Sequence, residues 1–144
     1  MAQDNSTKGS IELFESIPLF KSLSKEELKE LANSSKENSF PSGAFIVKEG
    51  DAGLGFYLIL EGEAIVKHNG RVLSKLGRGN FFGEMSLFDD QPRSADVIAA
   101  EPTKCLVLLR WNFWALVSKN PQIARGLLKE MGRRLRATNE GPTD

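Results

Sequence analysis

The sequence predicts an α+β domain that is mainly β: a helical segment, a long run of short strands, then two helices. Three observations carry that prediction. Between Ser39 and Arg110, glycines fall at positions 43, 50, 53, 55, 62, 70, 77, 79 and 83, with short β-rich runs between them. Strands punctuated that often form an antiparallel sandwich or barrel. Ahead of this region, Ser24 and Glu27 have the spacing of a capping box, a helix-start signal. Behind it, Ala124, Leu128, Met131, Leu135 and Thr138 recur at alternating intervals of four and three, the period of one helix face.

Each element has its own justification. Residues 1–10 are polar and are expected to form a disordered tail. The helical segment spans 11–34. Its first part gathers Ile11, Leu13, Phe14, Ile17, Leu19 and Phe20 into one or two short helical turns. Its second part is a helix from Ser24 to about Asn33, with Leu23 and Leu28 placed as a hydrophobic staple. The barrel region spans 36–110. Its expected strands are Ala44–Lys48, Phe56–Glu61, Ala64–His68, Arg71–Leu76, Ala95–Ala100 and Lys104–Leu109. Asn69-Gly70 between two of these runs is a strong hairpin signal, and Glu61-Gly62-Glu63 is a second turn. Two helices occupy 111–139. Trp111 to about Lys119 stops at Asn120-Pro121, because the residue before a proline disfavours helix. Pro121 suits the first position of the next helix, which runs to about Thr138. Gly141-Pro142 ends that helix, and 140–144 form a tail.

Two features of these helices bear on function. The 124/128/131/135 stripe, widened by Leu127, either packs on the barrel or pairs with its twin in a homodimer as a parallel coiled coil. Trp111 and Trp114, three residues apart, are expected to anchor their helix in the core.

Bulk properties exclude several function classes. Nineteen basic and nineteen acidic residues give no net charge, which argues against a direct nucleic-acid binder. The lone cysteine, Cys105, lies in an apolar run and reads as a buried, inert thiol, with no internal disulfide to form. That usage, and a polar N-terminus without a signal peptide, point to a cytoplasmic setting. Apolar runs reach only about five residues, too short to span a membrane. The single histidine, His68, precedes the hairpin and is expected to be exposed, so no multi-histidine metal centre is expected. No nucleophile–base pair stands out, and an enzyme is not expected.

The chemistry concentrates in Phe82-Gly83-Glu84-Met85-Ser86-Leu87, followed by Arg93-Ser94-Ala95. An arginine nine positions after a glutamate offers a planar fork of donors for phosphate oxygens. The glutamate accepts hydrogen bonds from hydroxyls and repels phosphate, so it suits the other end of the same ligand. Gly83 lets backbone approach closely, and N–H groups opening a helical turn favour an anion. A Glu and an Arg at this spacing, taken alone, equally describe a surface salt bridge across a loop.

The whole segment resembles the phosphate-binding cassette of cyclic nucleotide-binding domains, F-G-E-[LIM]-[AS]-L-x(5)-R-[STA]-A, at every fixed position. The resemblance runs from about Ile17 to about Asn139 and is strongest toward the sensor half of bacterial catabolite-activator-type regulators. It implies an eight-stranded antiparallel jelly-roll-like barrel and a module that senses a cyclic nucleotide. Occupancy would be transmitted through the C-terminal helices, with no cofactor. It implies that Glu84, beside Gly83, accepts from the ribose 2′-hydroxyl, and that Arg93 pairs with the cyclic phosphate. Met85, Ser86, Ser94 and Ala95 would complete the cradle, the Ser86 N–H among its donors. Leu73, Ser74, Arg134, Thr138 and Asn139 would lie on the base side. Ser94 stands where threonine helps select guanine in this family, so cAMP is the expected ligand and cGMP the alternative. The regulators continue into a helix-turn-helix domain, for which this chain has no room. A stand-alone sensor, an excised sensor half of a cAMP-responsive transcription factor and a ligand-free interaction domain all remain open.

Overall fold

The glycine-punctuated stretch folds as eight strands in two sheets. The computed structural model describes residues 2–139, with side chains from 9 to 138. Residues 35–113 form one compact unit, and the residues on either side of them form a second.

In the first unit the strands are β1 (Lys36–Phe40), β2 (Phe45–Val47), β3 (Gly55–Glu61), β4 (Ala64–His68), β5 (Arg71–Leu76), β6 (Phe81–Phe82), β7 (Asp96–Ala99) and β8 (Thr103–Leu109). They pair antiparallel in the orders β1-β8-β3-β6 and β2-β7-β4-β5. No ladder joins the two sheets among the described residues, so the closed barrel expected from the sequence is instead a two-sheet sandwich. Its core is shared. Ile59, Cys105 and Val107 come from one sheet; Ile46, Ala64, Val97 and Ala99 come from the other. Burial pushes the Cys105 thiol up to about 11, as an inert core cysteine requires.

The hairpin between β4 and β5 forms where Asn69-Gly70 placed it. Both turn residues are left-handed (φ 52° and 77°), the geometry that matches strand twist. His68 is partly exposed there, with Nδ1 2.9 Å from Glu49 Oε1. Two strands were not anticipated. β1 reads Lys-Glu-Asn-Ser-Phe and is mostly exposed; only its ladder with β8, from Lys36↔Val107 to Phe40↔Thr103, makes it a strand. β6 has just two residues, opposite Tyr57 and Leu58.

The second unit holds α1 (Ala2–Glu15), α2 (Lys25–Asn33), most of α3 (Arg110–Lys119) and α4 (Pro121–Asn139), with a 3-10 turn at Pro18–Phe20. α1 begins at Ala2, where a tail to residue 10 was expected. Nucleating a helix is costly and extending one is cheap, so a helix anchored by the fully buried Phe14 continues upstream through polar residues. The capping box of α2 is complete: Glu27 N–H donates to Ser24 Oγ (3.1 Å) and Ser24 N–H to Glu27 Oε1 (2.9 Å). Phe14 and Phe20 pack with ring centroids 5.6 Å apart, beside buried Ile17, Leu19, Leu28 and Leu31.

Two helix-face expectations need correction. On α4 the buried residues are Ile123, Leu127 and Glu130, whereas Leu128 and Leu135 of the expected stripe are 67% and 64% exposed. The inward face has the same helical spacing but carries a glutamate, which disguises it in the sequence. Trp111 and Trp114 are 56% and 43% exposed rather than core anchors; Phe113 and Val117 take the inward positions of α3. Among the described residues no helix is long and apolar enough to cross a membrane. The expected tail at 140–144, and the helix stop at Gly141-Pro142 within it, lie outside the described residues.

Candidate functional site

After β6 the chain reverses at Gly83 (φ 81°) and makes a single 3-10 turn, Glu84–Leu87. Two constraints require glycine at this position. The left-handed backbone is strained for other residues. A Cβ would also fall on Arg93 Nη1 and lie 2.7 Å from the Gly55 carbonyl oxygen. Within the turn, Ser86 N–H donates to Gly83 O (3.0 Å), so the amide that the resemblance assigned to a phosphate cradle is already engaged in the turn. Ser86 is buried against Gly53, where a Cβ would sit 2.6 Å from the Ser86 hydroxyl.

The following loop is laced to the segment before β3. Arg93 N–H donates to Asp51 O and Gly50 N–H to Arg93 O, both at 2.9 Å, and Ala52 bridges Pro92. Arg110 adds a clamp, with Nη1 on Asp90 and Nη2 on the Gly53 carbonyl. These contacts fix the Arg93 side chain. Its Nη2 donates to Gly55 O (2.6 Å), and its guanidinium carbon lies 5.6 Å from the Tyr57 ring centroid. Its Nε is buried with no hydrogen-bond partner among the described residues. Burial pulls the guanidinium below its usual pKa, an effect that Tyr57 partly opposes.

These elements enclose a cavity of about 440 Å³. All seven predicted cassette residues line it: Gly83, Glu84, Met85, Ser86, Arg93, Ser94 and Ala95. Glu84 Oε2 is shielded from solvent. The cavity therefore combines a half-buried cation, a carboxylate and an apolar wall of Val47, Val66, Val97 and Phe82. Sequence reasoning missed the wall, because a valine facing a cavity and one facing a core occupy the same alternating strand positions. It also missed Asp89 and Gln91 on the loop.

Of the residues assigned to the base side, the two that belong to the sheet unit are not among those lining this cavity. Leu73 (59% exposed) and Ser74 stand on β5 and do not line it. Arg134 and Thr138 belong to the other unit, where Arg134 Nε is 3.5 Å from Glu130 Oε2 and the Thr138 hydroxyl donates to Arg134 O (3.1 Å). The Asn139 side chain lies outside the described residues. No group of three or more metal-ligating side chains occurs among the described residues.

Comparison with known proteins agrees with this geometry. The profile of the cyclic nucleotide-binding domain matches residues 37–120. A cyclic AMP receptor protein of Thermus thermophilus is 38% identical over 124 residues, covering 83% of this chain and 57% of that protein. A cyclic nucleotide-gated potassium channel of Rhizobium etli is 36% identical over 118 residues, covering 82% of this chain and 33% of the channel. The chain thus spans about half the length of the first relative and about a third of the second. Among solved structures, the N-terminal domain of a transcriptional regulator from Streptomyces coelicolor superposes with a TM-score of 0.81 at 33% identity, covering 89% of this chain and 93% of that one. The Thermus thermophilus catabolite activator protein gives 0.67 at 37% identity, covering 85% and 60%. The profile match over most of the chain and the intact cassette lead to one conclusion: this chain belongs to the cyclic nucleotide-binding domain family, with likenesses among bacterial transcriptional regulators.

Proposed function

We propose that this chain is a regulatory module that binds cAMP. The observation that carries the reading is Arg93: a half-buried guanidinium that donates to a neutral carbonyl and lies over a neutral ring, its shielded Nε without a hydrogen-bond partner among the described residues, in a cavity that also presents Glu84. Burying a cation without a counter-charge is costly. An anionic ligand supplies the counter-charge, and a cyclic phosphate offers acceptors for Nη1 and Nε. Glu84 then accepts from the ribose 2′-hydroxyl. At about 440 Å³ the cavity falls within the ~300–1,000 Å³ usual for small-molecule sites. Adenine over guanine rests on Ser94 in place of threonine and on relatives named for cyclic AMP.

We read the strand orders as a jelly roll, a sandwich wound from two Greek keys. Ligand occupancy would reach the C-terminal helices as a population shift, favouring the state that binds cAMP better. The outward face of α4, with Leu128, Met131 and Leu135, is read as the seam of a homodimer. A second reading makes the domain the sensor of a transcriptional regulator. It is favoured by the match across 93% of the N-terminal domain from Streptomyces coelicolor.

Thermal melting with saturating cAMP or cGMP tests the core proposal. A ligand present at a hundred times its Kd and bound only to the folded state adds about 2.7 kcal/mol. The expected result is an upward shift with cAMP and a smaller one with cGMP. No shift with either nucleotide overturns the reading and leaves an interaction domain.

A further inference from the structure

Tyr57 is not among the residues that line the cavity, yet it is placed against the one group on which binding turns. Its ring stacks on Phe82 with centroids 4.9 Å apart and planes 4° from parallel. Phe82 ends β6 and leads directly into Gly83, so this pair places the ring beside the start of the cassette turn. The guanidinium of Arg93 lies over Tyr57, with its carbon 5.6 Å from the ring centroid. Three groups therefore frame the guanidinium. The Gly55 carbonyl takes Nη2, Gly83 lies so close on one side that an added Cβ would fall on Nη1, and the Tyr57 face limits its tilt.

We infer that Tyr57 is a positioning residue for ligand binding, which acts through Arg93 by holding its fork in the orientation that meets a phosphate. This rests on the proposal that the cavity binds a cyclic nucleotide. A free arginine side chain gives up several rotatable bonds when it pairs with phosphate. An aromatic face that attracts the cation beforehand removes part of that loss and leaves the site preorganised. A carboxylate in the same place would orient the arginine equally well, but it would compete with the phosphate for its charge. A ring quadrupole orients without neutralising. The electrostatics are mutual: burial raises the phenol pKa and Arg93 partly offsets it, while burial lowers the guanidinium pKa and Tyr57 partly offsets that.

The decisive experiment is a double-mutant cycle by calorimetric titration of the full chain with cAMP, using Tyr57→Leu, Tyr57→Phe, Arg93→Lys and the double variant Tyr57→Leu/Arg93→Lys. Melting of each unliganded variant reports folding separately. Wild type is expected to bind. Tyr57→Leu is expected to lose about 3- to 30-fold in affinity, the range of a partly desolvated cation–π contact. Tyr57→Phe, which keeps the ring, is expected to stay within about 2-fold. In the Arg93→Lys background the loss from Tyr57→Leu should largely vanish, because a lysine has no planar fork to orient. Equal losses in both backgrounds, or a Tyr57→Phe loss as large as that of Tyr57→Leu, would overturn the positioning role while leaving the cyclic nucleotide site intact. Failure of wild type to bind would overturn both.

Discussion

Each unit holds a charged side chain back from water, Glu130 fully and Arg93 in part, and they treat it in opposite ways. In the helical unit Glu130 is 1% exposed and fully answered within its own helix. Arg133 donates to both carboxylate oxygens, Nε at 3.1 Å and Nη2 at 2.6 Å, with Arg134 Nε at 3.5 Å from one of them. In the sheet unit Arg93 leans on a carbonyl and an aromatic face, and its Nε has no partner. A charge satisfied by neighbours one helical turn away supports structure. A charge held in place by neutral groups and left unneutralised is prepared for a ligand. The contrast is a more specific pointer to the site than burial alone, because the more deeply buried charge, Glu130, is the one already paired.

Breaking the ligand-facing charge should give the largest effect. Arg93→Met is expected to cost about 2–5 kcal/mol of cAMP affinity, roughly 30-fold to several-thousand-fold, the usual cost of truncating one partner of a buried charge pair. Because Arg93 lacks a counter-charge in the free protein, the unliganded melting temperature of this variant should stay level or rise. Calorimetry and melting together check both halves; a large loss of unliganded stability would remove the distinction between the two units.

Gly83→Ala probes the same cradle through the backbone. A side chain at φ 81° that also meets Arg93 Nη1 and the Gly55 carbonyl should destabilise by about 1–3 kcal/mol, read by chemical denaturation, and should weaken cAMP binding as the guanidinium is displaced.

The helical unit is tested on its outer face. Leu128→Glu with Leu135→Glu should change the stability of an isolated protomer by no more than about 0.5 kcal/mol, because both positions are open to water. Light scattering should nevertheless report dissociation of the proposed homodimer. An unaltered dimer would move the interface elsewhere.

The smallest effect belongs to the charge that is already answered. The Arg133 hydrogen bonds, ahead of the charges of Arg133 and Arg134, hold the Glu130 carboxyl below its ordinary value of 4.5, against burial that raises it. A folded-state pKa that is depressed contributes stability above the unfolded value. That contribution is lost as the pH falls below about 4.5 toward the folded value. Glu130→Gln should therefore melt somewhat lower than wild type near neutral pH, and the two curves should converge in acid. Parallel curves across that range would show that the Arg133 bonds contribute nothing to folding.

Much of this was legible in the chain itself, for identifiable reasons. Gly83, Glu84, Arg93 and their neighbours could be read because the whole segment from Phe82 to Ala95 matches one motif, where the Glu–Arg spacing alone would equally have described a surface salt bridge. Asn69-Gly70 and the Ser24–Glu27 box could be read because turns and caps are local, and their donors and acceptors lie within four residues. What failed was non-local. β1 is a strand only because β8 lies beside it, and nothing in Lys-Glu-Asn-Ser-Phe announces that. Leu127 and Leu128 are equally apolar neighbours on α4. The residues packed around the helix buried one to 3% exposure and left the other at 67%. Trp111 and Trp114 lost the core to Phe113 in the same way.

The sequence by itself singled out the groups that line the cavity, because the chemistry expected of a phosphate and a sugar restricts residue type and spacing within one short segment. Only the tertiary structure decided how those groups are held. Gly55, Tyr57 and Arg93 are brought together by sheet pairing and loop lacing across 38 residues, and such pairing depends on packing that no local pattern encodes.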